Sequence, residues 1–545
     1  MKYLSAILFT VSLALGYLPS SFRNLSTAGV FDDDYDLMLD PGRIPEIEGY
    51  RLYTNLSNLV TGLERPFVNQ SVNYFLLGGS GEFMKHRYLG LIFDNYSLND
   101  PLPTGLFTRE GDTIFGDGEV VNTQWLDTDG DGSFDYIIND REHRSAWDRN
   151  RELNFYLGLA FGKDNRFGFG FIHEDDRLRN FDPQVNYQIE REESTLIETR
   201  LTYLKGDTLT TMDETNHARN SIIFSSWFGR ESAFNLSLGL GMIQSDSLTE
   251  ADGYYFEDRN PGGDTLDYVK ISSGDTFHIP YSGFEIPARI GLLKKRTGGW
   301  ESEYYLDFRY LSLGVTGDGA RNTISMVDST CRPGTASGYD SITTTYSGKR
   351  SGYTVRFSTR QRFTLSKRFA FGFGLSLTNS VLTDELFDST AQSGRYAYDD
   401  GDGVSTANDS TVTYTEMEYW QKKTTSVVRS ISIPVGMEFK LIEPVTLRLG
   451  ARHTTTYYDV VTTENLKGFD PRKTRVEYGD GSYSEWIDDE KLQSGTREED
   501  SPTTHKTDYY YGLGIAIGKN LQLDLMYFNN LVNLANWRLS ATLKF

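Results

Sequence analysis

Apolar and polar residues alternate one by one over many short stretches of this chain. Phe234, Leu236, Leu238, Leu240 and Met242 interleave with Asn235, Ser237, Gly239 and Gly241. Phe369, Phe371, Phe373, Leu375 and Leu377 interleave with Ala370, Gly372, Gly374, Ser376 and Thr378. The same period runs through 153–161, 167–171, 445–451 and 509–517. A period of two puts the two sets on opposite faces of a β-strand. Each stretch is about ten residues long, enough for a tilted strand to cross a hydrocarbon layer. Connections alternate as well. Short ones lie near 163–166, 229–232, 295–298, 365–367, 441–443 and 518–520; long polar ones lie near 98–151, 177–217, 245–281, 314–350, 382–425 and 459–505. A soluble all-β protein has no reason to lengthen every second connection. Short turns at one end and long loops at the other belong to a transmembrane antiparallel β-barrel. Counting from Tyr50 predicts 16 strands, with 14 as the alternative and 186–206 a hairpin inside a long loop.

The two ends of the sequence add a destination. Trp537, Leu539, Ala541, Leu543 and Phe545 alternate with Arg538, Ser540, Thr542 and Lys544. A strand ending on an aromatic resembles the closing strand of bacterial outer-membrane barrels. That resemblance implies that Trp537, Leu539, Leu543 and Phe545 form the signal read by the barrel assembly machinery. Met1-Lys2, an apolar stretch over 3–15 and the small-x-small sequence Ala14-Leu15-Gly16 read as a signal peptide, residues 1–16. The apolar run falls short of the roughly 20 residues of a spanning helix. The single cysteine, Cys331, is far from the cleavage site, which argues against a lipoprotein and excludes an internal disulfide. The expected location is the outer membrane of a Gram-negative cell, in contact with its lipid, with both termini periplasmic.

Composition fits this geometry. Mean hydropathy is -0.46 and hydrophobic residues make up 38%, low values for a membrane protein. A barrel strand offers lipid only every second residue, so its average hydropathy is low by construction. The excess lies in Tyr (34), Phe (33) and Gly (52), suited to an outward apolar band with aromatic girdles and an inner face of small groups. A net charge of -22 disfavours nucleic acid as a partner.

The inner face follows from the same alternation. Glu301, Glu303, Asp307 and Arg309 share one face of 299–313, opposite Tyr304, Leu306, Phe308 and Tyr310. Arg356, Arg360 and Arg362 face away from Tyr353, Val355 and Phe357 on the next strand. Pairing of these two strands would bring carboxylates against guanidiniums inside the barrel, as a brace for the wall or as a selectivity surface for a charged solute.

Two further segments put proline and glycine on the inner face just before a short turn. They are Phe284-Glu-Ile-Pro287-Ala-Arg-Ile-Gly291 and Ile431-Ser-Ile-Pro434-Val-Gly436. A strand proline removes a ladder hydrogen bond and marks an edge, bulge or bend, so Pro287 and Pro434 are expected to kink the wall. These segments are similar to the strands of the fatty-acid-transporter-like barrels, which include the barrel subunits of type IX secretion. The acidic stretch from Ala28 to Pro41 resembles the N-terminal segment of that family. The resemblance implies that residues 17–49 form a hatch inside the barrel of residues 50–545. Asp40-Pro41-Gly42 stands where the family has Asn-Pro-Ala, and family members have 14 strands.

One local motif suggests a metal. Asp127, Asp129, Asp131 and Asp135 fall at positions one, three, five and nine of 127–135, with Gly132 at six and the Ser133 carbonyl as a further ligand. Such spacing wraps one hard cation, and it resembles the calcium loops of integrin-type propellers and thrombospondin repeats. A structural Ca²⁺ in an external loop is expected there, not an EF-hand, because position twelve is Ile138. Asp399-Asp-Gly-Asp402-Gly403 reads as a hydrated turn. No catalytic residue is expected: His86, His143, His173, His217, His278, His453 and His505 sit in no recognisable nucleophile or metal motif, and no Gly-x-Ser-x-Gly occurs. The function expected is passage of a small hydrophobic or amphipathic solute across the outer membrane. The alternative is a non-transporting barrel whose long loops bind a protein partner for secretion or surface attachment.

Overall fold

The computed structural model describes residues 22–58, 72–101, 119–126, 136–144, 147–192, 200–229, 231–258, 268–296, 298–328, 334–402, 404–488, 495–528 and 537–545. Two short helices, α1 (Phe22–Ser26) and α2 (Asp34–Leu39), and a 3-10 turn (Pro41–Glu46) precede the strands. The strands are β1 (Arg51–Asn58), β2 (Val72–Met84), β3 (Arg87–Pro101), β4 (Glu119–Leu126), β5 (Tyr136–Arg144), β6 (Trp147–Phe161) and β7 (Asn165–Glu192). There follow β8 (Arg200–Phe228), β9 (Ser232–Asp258), β10 (Tyr268–His278), β11 (Tyr281–Arg296), β12 (Trp300–Asp328), β13 (Thr335–Ser366) and β14 (Phe369–Asp399). The last are β15 (Ser410–Ile442), β16 (Val445–Tyr478), β17 (Tyr483–Asp488), β18 (Thr496–Asp500), β19 (Thr503–Ile517), β20 (Leu521–Phe528) and β21 (Trp537–Lys544). Antiparallel pairing of β1–β3, β6–β9, β11–β16 and β19–β21 closes a ring of 16 strands, β21 pairing with β1. Short turns and both ends of the ring lie together: Tyr50 and Phe545 exchange backbone hydrogen bonds there.

The outward rows face lipid. On β9 exposure alternates residue by residue from Ser232 to Gln244. Leu238 is 56% exposed, whereas Asn235 is 0% exposed. Phe167, Phe169 and Phe171 point outward in the same way on β7. This is a membrane-spanning barrel with a greasy exterior and a polar interior. Among the described residues no helix is long and apolar enough to cross a membrane.

Above the apolar band the wall continues. Much of each long polar connection is itself strand: β13 has 32 residues and β16 has 34. At about 3.3 Å per residue and a tilt near 40°, such a strand rises roughly 80 Å, well over twice the hydrocarbon thickness of ~30 Å. On β9 the strict alternation in exposure ends after Gln244, where both faces meet water. Two of these long strands are broken by proline, which cannot donate to a ladder. Pro280 separates β10 from β11, and Pro502 separates β18 from β19.

Residues 22–49 lie inside the ring at the short-turn end. The wall makes room for them with inward glycines. A Cβ on Gly168 would lie 2.3 Å from the carbonyl carbon of Pro41, and one on Gly450 would lie 2.6 Å from the amide of Ala28. Gly436 and Gly512 are packed as tightly by Thr27 and Ser26. Tyr35 and Met38 join Tyr53, Leu76, Ile92, Tyr156 and Ile172 in a buried apolar cluster between α2 and the wall.

Candidate lumenal site

The register of β12 on β13 sets Glu301 opposite Arg362, Glu303 opposite Arg360 and Asp307 opposite Arg356. Arg309 stands opposite Pro287 and Thr354, and its Nε is 3.4 Å from Glu285. Asp307 is shared by Arg289 and Arg356 at 2.5 and 2.9 Å. Glu303 is fully buried, 2.6 Å from Nη2 of Arg360, and it also pairs with Arg362.

The hatch completes this group. Asp32, which follows the Ala28–Phe31 stretch, pairs with Arg360, with Arg362 at 3.3 Å and with Arg43 at 3.1 Å. Two carboxylates, Asp32 from the hatch and Glu303 from the wall, therefore serve three guanidiniums. Arg43 reaches on to Glu46 at 3.3 Å, and Glu46 pairs with Arg166 of β7. Arg43 and Arg166 also lie over the Trp227 ring, 5.5 and 5.6 Å from its centre. The carboxylate of Asp40 accepts from Ser225 Oγ at 2.6 Å and from Trp227 Nε1 at 3.0 Å. Gly42 fits under that indole: a Cβ there would lie 2.6 Å from Trp227 Cδ1. That contact leaves no room for a side chain on the residue that follows Asp40-Pro41. On the far side of the hatch, Arg23, Glu438, Arg448 and Asp524 form a chain with steps of 2.6, 3.1 and 2.5 Å.

These contacts pull hatch acids in opposite directions. Burial works against the Asp32 carboxylate, yet Arg360, Arg362 and Arg43 hold its pKa well below the usual range. Burial, with Asp34 next in weight, pushes the Asp33 carboxyl up to about 7. Burial and then Asp33 push Asp36 well above its ordinary value. Asp33 nonetheless caps α2, accepting from the amides of Tyr35 and Asp36 in a capping box.

A cavity of about 340 Å³ lies beside the hatch, against the β1–β21 closure. Tyr35, Tyr53 and Leu76 form an apolar part of its lining; Arg23, Arg448 and Asp524 are among the charged groups that share it.

Pro287 and Pro434 both point inward, and each interrupts pairing to one neighbour. Ile286 and Pro287 have no partners on β9, although register is kept on both sides of the gap. Gly374 and Leu375 of β14 similarly have none opposite Ile433 and Pro434 of β15. Glycine lies beneath each ring: a Cβ on Gly239 would come within 2.8 Å of Pro287 Cγ, and one on Gly374 within 3.1 Å of Pro434 Cγ.

Other sequence features fall elsewhere. Asp127, Asp129, Asp131, Ser133 and Asp135 lie outside the described residues. At the seam, Leu543 pairs with Leu52 and Leu539 with Ser57, while Trp537 pairs with Tyr527 of β20. Among the described residues, the carboxylates of Asp399, Asp400 and Asp409 come within 4.8 Å of one another and could hold a metal ion. The sequence pattern marked Asp32 and Asp40 only as part of the acidic segment, with no partners, and did not mark Arg43, Glu46, Arg166 or Trp227. Inward parity alone could have found Arg166 and Trp227, but their partners in the hatch follow from no local pattern.

No protein-family model and no curated protein matches the chain. Among solved structures it is similar to a Pseudomonas aeruginosa FadL homologue, at 12% identity over 97% of this chain and 99% of that one, with a TM-score of 0.25. It is also similar to the ferric-catecholate import receptor Fiu from E. coli K12, at 9% identity over 91% and 81% of the two chains, with a TM-score of 0.24. Overlap this loose adds nothing to the strand order and exposure pattern, which define the barrel by themselves.

Proposed function

We propose that this barrel passes a small amphipathic solute across the outer membrane, with residues 22–49 as a displaceable hatch. The observation that carries the reading is the cavity beside the hatch, where Tyr35, Tyr53 and Leu76 meet Arg23, Arg448 and Asp524. A solute with an apolar body and a charged end would find both complements there. Ion pairs and close packing hold the hatch, with no disulfide, so it can be displaced and reseated. At Pro287 and Pro434 the ladder to one neighbouring strand is already interrupted, so the wall has fewer hydrogen bonds to break there than in the paired stretches on either side if it opens sideways.

Planar-bilayer conductance of the refolded chain, with and without residues 22–49, tests this reading. Deletion is expected to turn a mostly closed protein into an open one and to speed flux of dodecanoate into vesicles. The tall wall favours a second reading, in which the barrel is a closed scaffold that presents this surface to a protein partner. Deletion that leaves both conductance and flux at the lipid background would favour the scaffold.

A further inference from the structure

On the lipid-facing side, four neighbouring strands form a groove of about 440 Å³. Its lining includes Val355 and Phe357 of β13, Leu377 of β14, Ile431 of β15 and Tyr457 of β16. One row of pairing runs Phe357, Leu377, Ile431, Thr455 across these strands. The next row towards the tall wall runs Val355, Asn379, Arg429, Tyr457. The groove therefore has a greasy floor and a cation at one end.

Arg429 is the first outward residue beyond the apolar row of β15, which comprises Phe439, Met437, Val435, Ile433 and Ile431. It stands near the edge of the band: the next outward row, Tyr353, Val381, Val427 and Asp459, is the last mainly apolar one before the polar wall. Its direct neighbours across the strands are Asn379 and Tyr457, neither of them charged. Among the described residues no carboxylate pairs with it, although Asp459 lies one outward position further along β16. Polar groups continue sideways at this level. Thr455, which also lines the groove, has its Oγ1 3.1 Å from Nδ1 of His505, whose ring stacks on His453.

We propose that this groove binds one anionic phospholipid, its acyl chain over Phe357, Leu377 and Ile431 and its phosphate on Arg429 and the Asn379 amide. An arginine facing the acyl region needs a counter-charge, and a lipid phosphate is the anion that the surroundings supply. The groove continues directly from that cation, so one molecule satisfies both features. This site is on the outside of the wall and is independent of whether the lumen conducts.

The test is native mass spectrometry of the full chain in neutral detergent, offered equal amounts of phosphatidylglycerol and phosphatidylcholine of the same chain length. One cation at the surface corresponds to about a fivefold preference for the anionic lipid. Wild type is expected to show that preference, Arg429→Gln to retain the two lipids equally, and Arg429→Lys to keep most of it. Lys423→Gln, further up the same outward face, is expected to behave as wild type, and inorganic phosphate is expected not to displace the bound lipid. A heat-dependent gel shift confirms that each variant is folded. Equal retention of both lipids by wild type would overturn the proposal. So would a preference that survives Arg429→Gln, is lost in Lys423→Gln or is abolished by inorganic phosphate.

Discussion

Asp32→Asn is the sharpest perturbation of the hatch, since it keeps shape and removes one charge. Asp32 is 8% exposed and touches the guanidiniums of Arg43, Arg360 and Arg362. Removing one partner of a buried ion pair costs about 3–5 kcal/mol, because the other charge stays buried and uncompensated. Here Glu303 remains beside all three guanidiniums, 2.6 Å from Arg360 and 3.7 Å from Arg43, so the lower end applies. About 3 kcal/mol is roughly two orders of magnitude in an equilibrium. If the hatch moves as a unit, openings seen in single-channel recordings should become about a hundredfold more frequent. Arg362→Gln should have a similar effect, and the double variant should be less than additive, because both remove the same interaction. An Asp32→Asn channel as quiet as the parent, alongside a hatch deletion that conducts, would show that these ion pairs do not hold the hatch.

Other consequences follow from single contacts. Gly42→Ala puts a methyl 2.6 Å from Trp227 Cδ1 and 2.9 Å from Ser225 Oγ; overpacking of this kind costs about 1–3 kcal/mol, so protease cleavage of the 22–49 segment should rise. Asp33, raised to about 7, holds in the seated hatch a proton that a free carboxyl loses near pH 4. Its contribution is therefore full in acid and is lost as pH rises through 7; the buried Asp36 acts in the same direction, and Arg23, Asp34 and Asp524 are the other charges that face Asp33. Asp32 works the other way, but only well below pH 4, so opening measured from pH 5 to 8 should increase, and a decrease would contradict the assignment. Leu238→Arg places a charge on the lipid face of β9 at a cost of about 2–4 kcal/mol near the bilayer midplane, so the urea midpoint of the folded protein in vesicles should fall.

What the sequence reveals and what it hides differ for a physical reason. Hydropathy alternates only where one face meets lipid and the other an enclosed interior. Phe234–Met242 therefore announces its strand, and the short turns announce the ring. Residues 318–328 (Asp-Gly-Ala-Arg-Asn-Thr-Ile-Ser-Met-Val-Asp) are equally extended, but both their faces are wet, so they read as loop. Of the expected 186–206 hairpin, 186–192 and 200–206 are the ends of β7 and β8, which pair down to the short turn with one register shift near Glu190, and 193–199 lie outside the described residues. Charges on adjacent strands could be matched by counting, as for Glu303 and Arg360, because register fixes neighbours. The bond from Asp32 to Arg360 spans more than three hundred residues and depends on the ring closing around the hatch. Nothing in either segment alone encodes it.

The barrel exists only if alternate residues of the wall look at lipid. Nitroxide labels placed singly at 233 to 242 on β9, in a Cys331→Ser background in vesicles, measure this directly through their collisions with dissolved oxygen. Labels at 234, 236, 238, 240 and 242 should show high oxygen accessibility, and those at 233, 235, 237, 239 and 241 low accessibility, a period of two matching the exposure along the strand. A flat profile, or one with the odd positions facing lipid, would contradict the barrel and the hatch within it.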